Sequence, residues 1–137
     1  MTSVYELYFD GCSKGNPGRG GAGAVLYENG VEKVAGAWYV GNRVTNNVAE
    51  YMGMLRGMEM AYEYGVRGTL VVKGDSQLVI KQMRGEYQVK SPPLVPLAAQ
   101  ARDWVKRLGG PVDFVHIYRE MNVRADALSN EGVDNRC

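Results

Sequence analysis

The chain holds two cysteines, one histidine and two phenylalanines among 137 residues, and no apolar run nears the roughly 18 residues that a membrane-spanning helix needs. Each shortage excludes something. Cys12 and Cys137 are too few for a disulfide framework, which fits a reducing compartment and a cytoplasmic protein. With His116 as the single histidine, no Cys/His cluster points to zinc. The opening residues, MTSVYELYFD, lack a basic stretch followed by an apolar one, so no secretion signal is expected. Surplus charge is also missing: Lys and Arg total 16 against 15 Asp and Glu, a net +1 that by itself hints at no nucleic-acid partner. The apolar share of 45% and charged share of 23% are those of a globular protein, and residues 1–137 read as a single domain.

Glycine, by contrast, is plentiful, at 18 residues. Residues 4–10 alternate, with Tyr5, Leu7 and Phe9 on one face, and predict a strand. A glycine-rich loop is expected over 11–21. Residues 23–27 and 31–40 flank Glu28-Asn29-Gly30, and Asn-Gly is a strong hairpin signal. Thr45-Asn46-Asn47 can cap a helix reaching about residue 64, where Gly65 and Gly68 end it. A short strand at 69–73, a helix at 76–83 and a turn-rich connection at 85–96 follow. A long helix at about 94–108, a strand at 112–118 and a helix at 123–131 complete the chain. The order β-β-β-α-β-α-β-α predicts an α/β domain: a mixed five-stranded sheet flanked by helices, beginning with an antiparallel meander. A right-handed crossover would lay strand 69–73 parallel to one strand of that meander. Ligands in such sheets gather at the carboxyl ends of the parallel strands.

Carboxylates fall at that edge. Asp10 ends the first strand and Asp75 follows the fourth, and each precedes a small residue, Gly11 or Ser76. Glu50 lies on the first long helix, about 150° from the polar stripe of Arg56, Glu59 and Glu63, so it faces the sheet. Gly53 and Gly57 on its side would let the helix backbone approach closely. Asp126 stands at the start of the last helix. Singly, each aspartate could be a cap or turn residue, and Glu50 could pair with an arginine. Together they make a different case. Several carboxylates stay ionised within a few ångströms only if divalent cations neutralise them. Oxygen-only ligands favour Mg²⁺ or Mn²⁺, and a pair of such ions suits in-line attack of water on a phosphodiester.

Four blocks of the sequence resemble the signatures of type 1 ribonuclease H: Asp10-Gly11-Cys12-Ser13-Lys14-Gly15-Asn16-Pro17-Gly18, Thr45-Asn46-Asn47-Val48-Ala49-Glu50, Asp75-Ser76-Gln77, and the run from Asn122 to Leu128. They stand in the family's order and span most of the chain. The resemblance implies a ribonuclease H-like fold and an RNA–DNA hybrid as partner. It also implies two Mg²⁺ ions, with Mn²⁺ able to substitute, and cleavage of the RNA strand to 5′-phosphate and 3′-hydroxyl ends. Asp10, Glu50, Asp75 and Asp126 match its metal-binding acidic tetrad. Gly11, Cys12, Asn16, Thr45, Asn46, Asn47, Ser76 and Gln77 fall where the family contacts substrate. Asn and Gln amides both donate and accept, which suits 2′-hydroxyls and base edges in a wide groove. Capping remains the other role for Asn46 and Asn47.

Two departures from the bacterial pattern matter. Only one long helix lies between Arg84 and Pro111, with no basic protrusion, so the chain is most similar to the compact archaeal-like and plant-like branch. The family's mobile-loop histidine would correspond to His116, yet His116 lies in the alternation of Val112, Phe114 and Tyr118. Strand packing and a part in proton transfer or product release both stand for it, with Arg119 as the rival for that part. Met52, Met54, Met58 and Met60, and Trp38 and Trp104, are expected in the core. Lys14, Arg19, Lys81, Arg84 and Lys90 are scattered, which predicts weak hybrid binding. The alternatives are a non-catalytic hybrid-binding module on the same fold and a junction-cutting nuclease. The protein is expected to act as a monomer without membrane contact.

Overall fold

The glycine-rich stretch expected as a loop is mostly strand. A computed structural model describes residues 3–135, leaving Cys137 outside the described residues. In it β1 (Tyr5–Lys14) runs four residues past Asp10, and β2 (Gly18–Glu28) starts well before Gly23, so only residues 15–17 turn. β3 (Val31–Val44) completes the antiparallel meander. Next come α1 (Asn46–Tyr64), β4 (Gly68–Gly74), α2 (Gln77–Met83), α3 (Leu94–Leu108), β5 (Gly109–His116), a short 3₁₀ turn at Arg119–Met121 and α4 (Val123–Asp134). Two helices, α2 and α3, separate β4 from β5, matching the helices expected at 76–83 and about 94–108, although the order β-β-β-α-β-α-β-α counts only one there. No further helix occupies the connection between them.

The physical reason for the extended glycines is close approach. Side chains alternate across β1, and Gly11 falls on the face that α1 covers; a Cβ there would sit 2.1 Å from the Ala49 backbone carbon. Gly21 and Gly23 face α4 on the other side of the sheet, where a Cβ would meet Ser129 O at 2.1 Å or Leu128 Cβ at 2.5 Å. Glycine here marks backbone contact between layers, not a turn.

The sheet order is β3-β2-β1-β4-β5, with β1, β4 and β5 parallel. Leu7, Phe9, Leu26, Leu70 and Val72 from the sheet pack against Tyr51, Met54 and Met58 of α1, all fully buried. Truncating one such side chain to alanine costs about 2–5 kcal/mol. Met60 joins this core, and Met52, Trp38 and Trp104 pack partly buried against it, as expected. Helix ends are set locally. The Thr45 hydroxyl accepts from Val48 N–H (3.3 Å), and Gly65 closes α1 at φ 112°, its N–H donating to Ala61 and Tyr62 carbonyls. The caps and the parallel strands aim the start of α1, the start of α2 and the carboxyl ends of β1 and β4 at one edge.

Candidate active site

At that edge Asp10, Glu50 and Asp75 converge, each offering a carboxylate oxygen within 4.8 Å of the others. Asp10 and Glu50 are buried, at 5% and 9% exposure. The backbone N–H of Gly11 donates to both, at 2.9 Å to Asp10 Oδ1 and 2.7 Å to Glu50 Oε1. Gly53, one turn after Glu50, explains how α1 comes so near: a Cβ there would lie 2.3 Å from Asp10 O. Among the described residues no arginine pairs with Glu50; its partners are the Gly11 N–H and Asp10.

Burial pushes the Asp10 carboxyl up to about 7, the Asp75 charge adds to the rise, and the bond from Glu50 opposes it. Burial, then the charge of Asp10, hold Glu50 well above the usual carboxylate range. Near neutrality the pair therefore retains a proton unless a cation replaces it. Asp126, in the first turn of α4, lines the same concavity of about 300 Å³ and stands close enough to push Asp10 up further. It lies outside the 4.8 Å cluster, at the rim.

Asn122, immediately before α4, holds the third acid. It is 1% exposed, and its amide donates to Asp75 Oδ2 (3.1 Å) and to the Phe9 carbonyl (2.9 Å), tying Asp75 to the end of β1. This residue sits within a motif noted above but was not assigned to the site. An asparagine poised between a strand and a helix reads first as a cap, yet here its side chain makes no capping bond. Lys14, expected only as one of several scattered phosphate-binding cations, lines the concavity and is joined by a hydrogen bond to Asn130, which the sequence alone does not single out.

The remaining candidates sort by position. Arg119 lines the concavity beside the acids. His116 does not: it ends β5 opposite Gly74, packs edge-on against Tyr118 at 5.9 Å and faces the α2–α3 side. Cys12, partly buried, lines the concavity and donates to Ser129 O at 3.4 Å. Asn16, Asn46 and Ser13 form a closed network. Asn46 N–H donates to Asn16 Oδ1 (2.9 Å), Ser13 N–H to Asn46 Oδ1 (3.0 Å), and Asn16 N–H to Ser13 Oγ (3.1 Å). The network locks the β1–β2 turn, where Asn16 adopts φ 33°, to the start of α1. Asn47 and Gln77 are exposed in the first turns of α1 and α2, and Ser76 caps α2 by accepting from Val79 N–H at 3.3 Å.

The geometry defines an α/β domain with an acidic centre at the carboxyl edge of a mixed sheet. The Reverse transcriptase-like family matches residues 8–132. Ribonuclease HI of Halobacterium salinarum is 39% identical over 132 residues, covering 95% of this chain and 64% of that protein. Ribonuclease H of Pseudomonas putida is 36% identical over 147 residues, covering 98% and 96%. Among solved structures, the Halobacterium RNase H1 superposes with a TM-score of 0.90 at 36% identity, over 97% of this chain and 99% of that one. LC11-RNase H1 in complex with an RNA/DNA hybrid gives 0.88 at 37% identity, over 95% and 96%. The chain belongs to the type 1 ribonuclease H family. It spans about two thirds of the Halobacterium enzyme, and 34% of a bifunctional protein of Mycobacterium tuberculosis that is 37% identical over 126 residues.

Proposed function

We propose that the protein is an endoribonuclease that hydrolyses the RNA strand of RNA–DNA hybrids. The observation that carries this is the convergence of three carboxylates within 4.8 Å, two of them buried and driven toward protonation. Such a set fits hard divalent cations: the donors are all oxygen, and positive charge removes the repulsion that otherwise costs a proton. Asp10, Glu50 and Asp75 would hold two Mg²⁺ ions, or Mn²⁺ in their place, with Asp126 completing the set from the rim. When bound, the ions supply charge neutralisation and activation of water for attack on a phosphodiester.

The chain's own residues do the rest. Gly11 N–H and the Asn122 amide orient the acids before substrate arrives. Arg119 and Lys14, lining the concavity, place positive charge beside the scissile phosphate. Water oxygen bonds to phosphorus as the bond to the 3′-oxygen breaks; that oxygen takes up a proton, leaving 3′-hydroxyl and 5′-phosphate ends. The Asn16–Asn46 network presents their remaining amide groups, together with Asn47 and Gln77, to a groove that displays 2′-hydroxyls. A binding module has no need to keep buried acids in mutual repulsion, which favours the hydrolase over that alternative. Among the described residues no helix is long and apolar enough to cross a membrane. We place the protein in the cytoplasm, acting as a monomer.

The test is a panel of labelled RNA–DNA hybrid, duplex DNA and duplex RNA, each with Mg²⁺ or EDTA. Cleavage confined to the hybrid and abolished by EDTA is expected. Equal cleavage of duplex DNA would overturn the assignment.

A further inference from the structure

Of the cations that look scattered in the sequence, the fold brings Arg84 together with two others, Arg102 and Lys106. Arg84 caps α2, Arg102 and Lys106 lie one turn apart on α3, and His116 ends β5. Together they line a groove of about 880 Å³ between α2, α3 and β5, with Phe114 in its floor and Asp113 as the one acid among its lining residues. β5 is the last strand of the sheet, so the groove lies on an open flank. Arg84 bridges Glu86 at 2.9 Å but stays 53% exposed, and among the described residues Lys106 makes no ion pair. The groove begins at the carboxylate edge: His116 pairs with Gly74, the residue before Asp75. At its mouth the Tyr118 ring is 68% exposed and braced edge-on by His116.

A positive groove with an exposed ring at its mouth is the arrangement that holds single-stranded nucleic acid. Cations neutralise phosphates, and ring faces stack bases without regard to sequence. We propose that this groove binds a single-stranded segment continuing from the hybrid at the carboxylate edge, so that the enzyme favours hybrids bearing an overhang. The proposal rests on the hybrid-cleavage function above and adds a second binding surface to it. Continuity with the acidic centre and the exposed ring favour a nucleic-acid strand over an acidic peptide lying along β5.

The test compares a blunt hybrid with hybrids carrying a DNA overhang of about eight nucleotides at either end, within the ~4–16 nucleotides typical of such grooves. Fluorescence anisotropy in EDTA measures binding without cleavage. One overhang polarity should tighten binding about tenfold, the contribution of roughly one stacked base. Three cations at about 0.7 each should steepen the salt slope by about 2. Lys106→Glu combined with Tyr118→Ala should erase both gains while leaving cleavage of the blunt hybrid in Mg²⁺ unchanged. No gain from either overhang, or a gain that persists in the double variant, overturns the proposal. So does displacement of the overhang by polyglutamate as effectively as by an oligonucleotide of equal charge, which would make the groove a peptide site. Failure to cut the blunt hybrid in Mg²⁺ is a separate readout, and it overturns the hybrid-cleavage function instead.

Discussion

The acidic concavity and the basic groove meet at one sheet edge but are held in opposite ways. In the concavity, backbone and buried amides fix the three clustered acids: Gly11 N–H grips Asp10 and Glu50, and Asn122 grips Asp75. In the groove, Arg84 and Lys106 project on long exposed stems, Arg84 held only by a solvent-exposed bridge to Glu86, while Arg102 donates to the Gln82 carbonyl at 3.3 Å. The difference follows from the sign of the interactions. Like charges brought together must be restrained, whereas cations awaiting a phosphate chain lose little by moving. Changes in the concavity should therefore cost orders of magnitude, and changes in the groove only severalfold.

The sharpest break is Asp75→Asn. It keeps the hydrogen-bonding shape but removes a charge, and turnover on hybrid should fall by about 10³-fold or more while circular dichroism stays parental. Its metal-free Tm should equal or exceed the parent's, because a repelling charge has gone. Asp126→Asn, at the rim, should be milder. Next comes the contrast between the two residues that rivalled one another in sequence. Arg119→Ala should lower turnover by about 10²-fold, whereas His116→Ala, on the groove side, should keep blunt-hybrid turnover within about twofold. A larger loss for His116→Ala than for Arg119→Ala would reverse their placement.

A smaller effect tests how the concavity is built. Gly11→Ala forces a methyl against the Ala49 backbone and should lower Tm by about 5 °C or more, with turnover falling as the N–H that grips both acids shifts. The smallest effect is a pH trend. Asp10 is raised from 3.8 to about 7 in the folded protein, so between those values the folded state holds a proton that the unfolded chain has released. The stabilisation tied to that proton is full below about pH 4 and lost as pH rises through about 7. In EDTA the parent should therefore lose Tm relative to Asp10→Asn as pH rises from 4 to 7, and Mg²⁺ should reverse the loss. A constant difference across that range, measured by differential scanning fluorimetry, would mean that Asp10 holds no extra proton.

Elements whose signal is local were legible in the sequence. α1 ends at Gly65, and α3 occupies Leu94–Leu108 as expected, because caps and apolar spacing lie within the segment itself. The inward turn of Glu50 was also readable, since one helix face carries it with Gly53 and Gly57. What escaped depends on distant partners. Gly11, Gly21 and Gly23 look like loop residues until α1 and α4 press on the sheet and require bare backbone. Asn122 looks like a cap until Asp75 and the Phe9 carbonyl claim its amide. Arg84 looks isolated among scattered cations until α2 and α3 fold over β5 and bring Arg102 and Lys106 beside it. His116 was ambiguous because the alternation placing it in a strand does not say which layer its face meets.

The account turns on one site cutting one strand, and a hybrid labelled on both strands tests that directly. In Mg²⁺ the parent should shorten only the RNA strand and leave fragments with 5′-phosphate ends, and Asp75→Asn should shorten neither strand. Cutting of the DNA strand at a similar rate, or RNA cleavage that survives in Asp75→Asn, would contradict it.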